Sequence, residues 1–235
     1  MRKLVLCTLV VAGTLGCSYQ GHISNFSKNL PLDSSIEGQN SIEQFIVPYR
    51  DSLSQQMNEI IGHADTSFEV VVPSSNLMNW ATDALLLQET QTVRLSEPVI
   101  CILNTGGLRA SLNKGQITVG DLYKLMPFDN SVAWVRLPVS RIEAIESFMK
   151  TQAKGVPISN ATYSKGKLSI NGLNESHTYF WVITSDYLAQ GGDKMTFFLN
   201  PDSFELKAKN LRDVFIDEVK RQGTLVSNTE NRFIP

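Results

Sequence analysis

Pro98-Val99-Ile100-Cys101-Ile102-Leu103-Asn104-Thr105-Gly106-Gly107-Leu108-Arg109 begins as an unbroken apolar run and ends in two adjacent glycines and an arginine. An apolar run of this length without alternation predicts a strand buried on both faces. Cys101 sits inside it, where a thiol is expected to be packed and inert. Two consecutive glycines then let the backbone turn sharply and approach a ligand closely. Arg109 adds a fixed fork of donors suited to carboxylate, phosphate or hydroxyl oxygens.

Outward from this strand the periodicity alternates between helix and strand. Upstream, Asn76 to Gln88 reads as a helix capped by Ser74 or Ser75, with Leu77, Trp80, Ala81, Ala84 and Leu85 on one face. Phe68 to Val72 reads as a short β-rich run. Ile42, Phe45, Ile46, Tyr49, Leu53, Met57, Ile60 and Ile61 recur every three or four residues. They predict an amphipathic helix of roughly 20 residues, with Pro48 near its first turns and Gly62 as its stop. Downstream, Thr118 caps a helix through Leu122 and Leu125, and Val132 to Leu137 is a strand. Ser140 opens a helix through Ile142, Ile145 and Met149. A hairpin is expected around Ser164-Lys165-Gly166-Lys167, and a strand over Tyr179 to Thr184. A last helix over Leu211 to Arg221 stops at Gly223. Helices and strands mixed in one unit, with no repeat, predict an α/β (α+β mixed) domain, a mixed sheet flanked by helices.

The N-terminus reads as an export signal over residues 1–16. Met1-Arg2-Lys3 is a positive start, and Leu4 to Leu15 is an apolar stretch of about 12 residues, short of the roughly 20 needed to span a bilayer. Thr14-Leu15-Gly16-Cys17 resembles a bacterial lipoprotein signal, which would leave Cys17 as a lipid-bearing N-terminus. Residues 17–40, rich in Ser, Asn and Gly, read as a tether, and residues 41–235 as the domain. The expected location is outside the cytoplasm, lipid-anchored to a bacterial membrane, in the periplasm or at the cell surface. Contact with the membrane is through that anchor only.

The 235 residues include 21 Lys and Arg against 23 Asp and Glu, for a formal charge of -2. No global positive field recruits nucleic acid. With 3 cysteines no disulfide scaffold is available, and 3 histidines limit any metal site built from this chain.

Three clusters carry candidate chemistry. Asn104 to Arg109 follows one strand. Pro127-Phe128-Asp129-Asn130 joins a helix to a strand. Ser185 to Asp193, with Tyr187, Gly191 and Gly192, follows another strand. Strand-end loops are where α/β domains collect ligands. Two aromatics for a flat ring, an Asn for its edge and an Asp for hydroxyls make a nucleoside site chemically.

In order and spacing these stretches, with Asn76-Leu77 through Asp83-Ala84 and Gly120-Asp121-Leu122, resemble the C-terminal domain of the 5′-nucleotidase family, from about residue 42 to residue 234. The resemblance implies a single domain that binds the nucleoside part of a nucleotide. It implies that Phe128 and Tyr187 sandwich the base and that Asn130 touches it. Asp193 would meet the ribose hydroxyls and Arg109 the ligand's oxygens. Asn104, Gly106, Gly107, Gly191 and Gly192 would form the turns bordering the ligand. Two departures stand out: Thr66 to Val72 has no arginine where the family often carries more, and Lys194 replaces a common glycine.

Enzymes of this family cleave phosphate with two divalent metals on a separate N-terminal domain. Asp-x-His, Gly-Asp-x-x-Asp, Gly-Asn-His and Gly-His-x-His are all absent from this sequence, and His22, His63 and His177 are scattered. No catalytic residue and no metal ligand is therefore expected in this chain. The expectation is a substrate-binding unit, inactive alone, beside a metallophosphoesterase subunit that holds both metals. The alternatives are a stand-alone surface nucleoside-binding protein and a structural or interaction domain that has lost its ligand.

Overall fold

The computed structural model describes residues 40–235. The export signal, Cys17 and the tether up to residue 39 lie outside the described residues. The chain divides at Phe45 into two units, and the second, Ile46–Pro235, holds all the sheets.

In chain order the elements are α1 (Asn40–Met57), β1 (Ile60–Ala64), α2 (Asn76–Thr90), β2 (Val99–Ile102), β3 (Gly115–Thr118) and α3 (Val119–Leu125). They continue with β4 (Ser131–Pro138), α4 (Ile142–Met149), β5 (Ile158–Ser159), β6 (Ala161–Ser164), β7 (Lys167–Ile170) and β8 (Tyr179–Ser185). The chain ends with α5 (Asp186–Ala189), β9 (Ser203–Asn210), α6 (Leu211–Gln222), β10 (Thr224–Leu225) and β11 (Phe233–Ile234). This is the mixed α/β domain expected. The central sheet has the order β5-β2-β8-β4-β9, and two three-stranded sheets, β10-β1-β3 and β11-β6-β7, flank it.

β2 and β8 run parallel, and β4 runs antiparallel to β8 over Val132↔Ser185 to Pro138↔Tyr179. The central strands are covered on both faces, as the unbroken apolar runs require. Cys101, Leu103, Trp134 and Ile183 pack with α2, α3 and α6 on one face. Ile100, Ile102, Ala133, Val135, Phe180 and Val182 pack with α4 and Phe198 on the other. Cys101 is fully buried, and burial pushes its thiol well above the ordinary range, so it stays protonated and unreactive.

Local signals place the helix ends. Ser75 Oγ accepts from Met78 N at 3.3 Å to cap α2. Thr118 and Asp121 form a reciprocal capping box on α3. Gly223, at φ +68°, ends α6.

Three expectations change. α1 stops at Met57, and Ile60 and Ile61 belong to β1, Ile61 buried and Ile60 half exposed. Gly62 is thus a strand residue packed against α6: a Cβ there would lie 2.6 Å from Val219 Cγ1. The run from Phe68 forms a single bridge to Leu112 and no strand, with Val71 and Val72 exposed. The helix after Ser140 begins at Ile142, behind a 3-10 turn over Val139–Arg141.

Candidate functional site

Sheet topology brings the three clusters together. The C-terminal ends of the parallel strands β2 and β8 lie at the same edge, and the antiparallel β4 begins there. Asn104 follows β2, Asn130 precedes β4 and Tyr187 follows β8. Between them lies a cavity of about 430 Å³. It is lined by Asn104, Gly106, Gly107, Arg109, Phe128, Asn130, Tyr187 and Asp193 among the residues singled out from the sequence. Gly191 and Gly192 do not line it; they shape the turn behind Tyr187. Gly191 has φ +86°, and a Cβ on Gly192 would fall 2.6 Å from the Tyr187 ring. Leu103, Leu108, Met126, Ser185 and Leu211 complete the wall. Leu108 and Ser185 belong to the loop clusters read from the sequence, whereas Leu103, Met126 and Leu211 carry the signal of core positions, which no pattern separates from the interior.

Both aromatic residues of this wall are exposed, Phe128 at 48% and Tyr187 at 47%. An exposed aromatic at a cavity mouth is a surface that a flat ligand ring can cover.

Asp193 is held from two sides. Asn104 Nδ2 donates to its Oδ2 at 2.6 Å, and the Tyr187 hydroxyl donates to its Oδ1 at 2.8 Å. A carboxylate offers about four acceptor positions, so it can still receive hydroxyl donors from a ligand. Asp193 and Lys194 both have positive φ, 50° and 65°. Arg109 is anchored at its backbone, N to Leu125 O at 2.8 Å, while its side chain is exposed. Among the described residues its one side-chain hydrogen bond is Nη1 to Gly106 O at 3.4 Å, which leaves the guanidinium available to an anion.

The Phe128 loop is braced. Arg212, 7% exposed, donates to Met126 O at 3.2 Å, pairs with Asp129 and lies 4.0 Å from the centre of the Tyr123 ring. Asn130 O accepts from Leu211 N at 2.9 Å. The Asn130 side chain turns to Asp186, its Nδ2 donating to Oδ1 at 2.9 Å. Asp186 lies inside the Ser185 to Asp193 cluster, with no role of its own marked by the sequence. It reads there as an ordinary first-turn acid behind the cap Ser185, and only the approach of β8 to β4 gives it a partner.

Among the described residues no group of three or more His, Cys, Asp or Glu could hold a metal ion. The described residues do not fit a dinuclear centre.

Residues 60–170 match the family described as 5′-nucleotidase, C-terminal domain. The fold is that of a 5′-nucleotidase C-terminal domain. The trifunctional nucleotide phosphoesterase protein YfkN of Bacillus subtilis is 25% identical over 225 residues, covering 84% of this chain and 15% of that protein. The 5′-nucleotidase of Vibrio vulnificus is 24% identical over 178 residues, covering 71% of this chain and 32% of that protein. Among solved structures, a 5′-nucleotidase precursor from Thermus thermophilus superposes with a TM-score of 0.65 at 21% identity. The match covers 83% of this chain and 43% of that one. The NAD nucleotidase of Haemophilus influenzae gives 0.60 at 18% identity, over 85% and 42% of the two chains. The chain thus spans less than half the length of each of these proteins. The fold is shared with these two solved structures, and the cavity described above lies within it.

Proposed function

We propose that this 5′-nucleotidase C-terminal-type domain binds a nucleoside or nucleotide and positions its base and ribose for phosphate-ester hydrolysis. The observation that carries the reading is the placement of two half-exposed rings, Phe128 and Tyr187, on the wall of a cavity that also holds Asp193 and Arg109. Stacking of the base on the rings supplies affinity without demanding one base. Asp193, pre-oriented by Asn104 and Tyr187, accepts from the ribose hydroxyls. Arg109 faces the anionic end of the ligand. Gly106 and Gly107 let the chain approach closely.

Water activation comes from two divalent metals on a separate metallophosphoesterase subunit. The family resemblance supports this, together with the donor set of the described residues, which suits no metal. The chain is exported and lipid-anchored through Cys17, with residues 17–40 as tether to a bacterial membrane.

Calorimetry of the full chain without metal, titrated with adenosine and then AMP, tests the binding role. Saturable binding of both is expected, tighter for AMP. Absence of binding to either overturns it. Mixing with a metallophosphoesterase subunit tests the second part. Complex formation and increased turnover of AMP are expected; a partner equally active without this chain, and forming no complex, overturns it.

A further inference from the structure

The Phe128 ring is held on the cavity wall by its neighbours in the loop. Among the described residues no aromatic ring packs on it. Three of the contacts that fix the loop come from Leu211 and Arg212, the first two residues of α6. Arg212 Nη1 donates to Met126 O, two residues before Phe128, and Nη2 pairs with Asp129, one residue after it. Leu211 N donates to Asn130 O at 2.9 Å. One planar guanidinium therefore grips the loop on both sides of the ring. As a filler of this space it is a costly choice, because the side chain is buried and its Nε has no partner among the described residues. A buried charge with an unsatisfied donor adds little net stability, and an apolar side chain of similar volume often serves as well. Asp129 is 82% exposed, so its carboxylate returns to water if the guanidinium is lost. What an apolar side chain cannot do is fix two points of the loop at once.

We infer that Arg212 is a positioning residue for the base: its fork holds the loop in the conformation that stands Phe128 on the cavity wall, and its effect on ligand binding passes through that ring. This rests on the nucleoside reading above. Arg212 does not line the cavity, and Asp193 and Arg109, which meet the ribose and the anionic end in that reading, stand on other loops. Loss of the fork frees the loop to move, and a stacking ring that is no longer pre-oriented must be ordered again when the base arrives. The base-dependent part of the affinity therefore falls, and the part owed to ribose and phosphate stays.

The test is calorimetric titration of the full chain with adenosine and with ribose 5-phosphate, in the wild type, Arg212→Met, Arg212→Lys, Phe128→Ala and the double variant Phe128→Ala/Arg212→Met. Arg212→Met should weaken adenosine binding about tenfold, the lower end of what a stacked base gains from a ring, and leave ribose 5-phosphate within about twofold. Arg212→Lys should not rescue it, because an ammonium keeps the charge but does not span both acceptors. In the Phe128→Ala background Arg212→Met should cost less than about a further twofold, since two residues acting through one ring are not additive. Losses that add in the double variant, equal losses for both ligands, or an unchanged adenosine affinity in Arg212→Met overturn the inference. Should Arg212→Met not fold, Asp129→Ala removes one arm of the grip at an exposed position and should cost adenosine about threefold and ribose 5-phosphate nothing; no loss, or an equal loss for both, overturns it. A wild type that binds no adenosine overturns the nucleoside reading itself, and this inference with it, whereas intact adenosine binding in Arg212→Met beside a weakened Phe128→Ala overturns the inference alone.

Discussion

The Tyr187 hydroxyl donates to Asp193 Oδ1 at 2.8 Å and accepts the Asp193 backbone N–H at 3.2 Å. One phenol thus holds both the carboxylate and the turn that carries it, while its ring stays half exposed on the cavity wall. Tyr187→Phe keeps the ring and removes both contacts. It should weaken adenosine binding about fivefold, close to 1 kcal/mol, as one hydrogen bond is worth. Titration calorimetry measures it, and an unchanged affinity would show that Asp193 needs no such support.

Phe128 contributes a ring and little else to the wall. Phe128→Ala should weaken adenosine binding by about ten- to hundredfold, from the roughly 1–3 kcal/mol that an aromatic gives a stacked base. Ribose 5-phosphate, which has no base, should bind the variant as it binds the wild type. Equal losses for both ligands would mean that the ring does not carry the base.

Gly107 is constrained by a neighbouring side chain. A Cβ there would meet Asn104 Oδ1 at 2.8 Å, and a rotating side chain can yield at little cost to the fold. Gly107→Ala should displace Asn104 from Asp193 and weaken adenosine binding about tenfold, with thermal stability within about 1 kcal/mol of the wild type. A large fall in melting temperature would place the clash in the backbone instead.

Lys194 occupies the left-handed region at φ +65°, where a side chain costs about 1 kcal/mol and glycine does not. Lys194→Gly should stabilise the domain by up to about 1 kcal/mol, less the entropy that glycine loses on folding. Urea denaturation checks it; destabilisation would show that the Lys194 side chain does more for the fold than its backbone costs.

Glu218 is fully buried on α6. Burial alone would raise its carboxyl, but Arg221, Gln88 and Gln222 all donate to it and hold it below the ordinary value of 4.5. A group depressed in the folded state stabilises above its unfolded value and loses that contribution as pH falls through the folded one. The Glu218 share of stability should therefore be complete at neutral pH, begin to fall near pH 4.5 and be lost only as the pH drops past the lowered folded value. Glu218→Gln should cost about 1–3 kcal/mol at pH 7 and less as the solution is acidified. Denaturation at pH 7 and pH 4 measures it, and an equal cost at both values would remove the charge from the explanation.

Much of the fold is legible in local chemistry. The unbroken apolar run at Val99 to Leu103, the Ser75 and Thr118 caps and the Gly223 stop each act within one turn of chain, so neighbouring residues suffice to read them. β9 is different. Its sequence, Ser203-Phe204-Glu205-Leu206-Lys207-Ala208-Lys209-Asn210, is charged and exposed, as an edge strand can be, and it becomes a strand because β4 pairs with it. β1 likewise takes Ile60 and Ile61 from a helical pattern because β3 and β10 offer backbone partners on both sides.

The site divides in the same way. Residue type and loop position alone mark Phe128, Tyr187, Asp193 and Arg109 as candidates, because aromatics, carboxylates and arginines beside glycine turns have limited structural uses. That these loops share one cavity, that Asn104 closes on Asp193, and that Asp186 orients Asn130 depend on strand pairing that brings together groups up to 89 residues apart in the chain. Hydrogen bonds between such distant groups form only after β2, β8 and β4 have paired, so tertiary structure alone decides them.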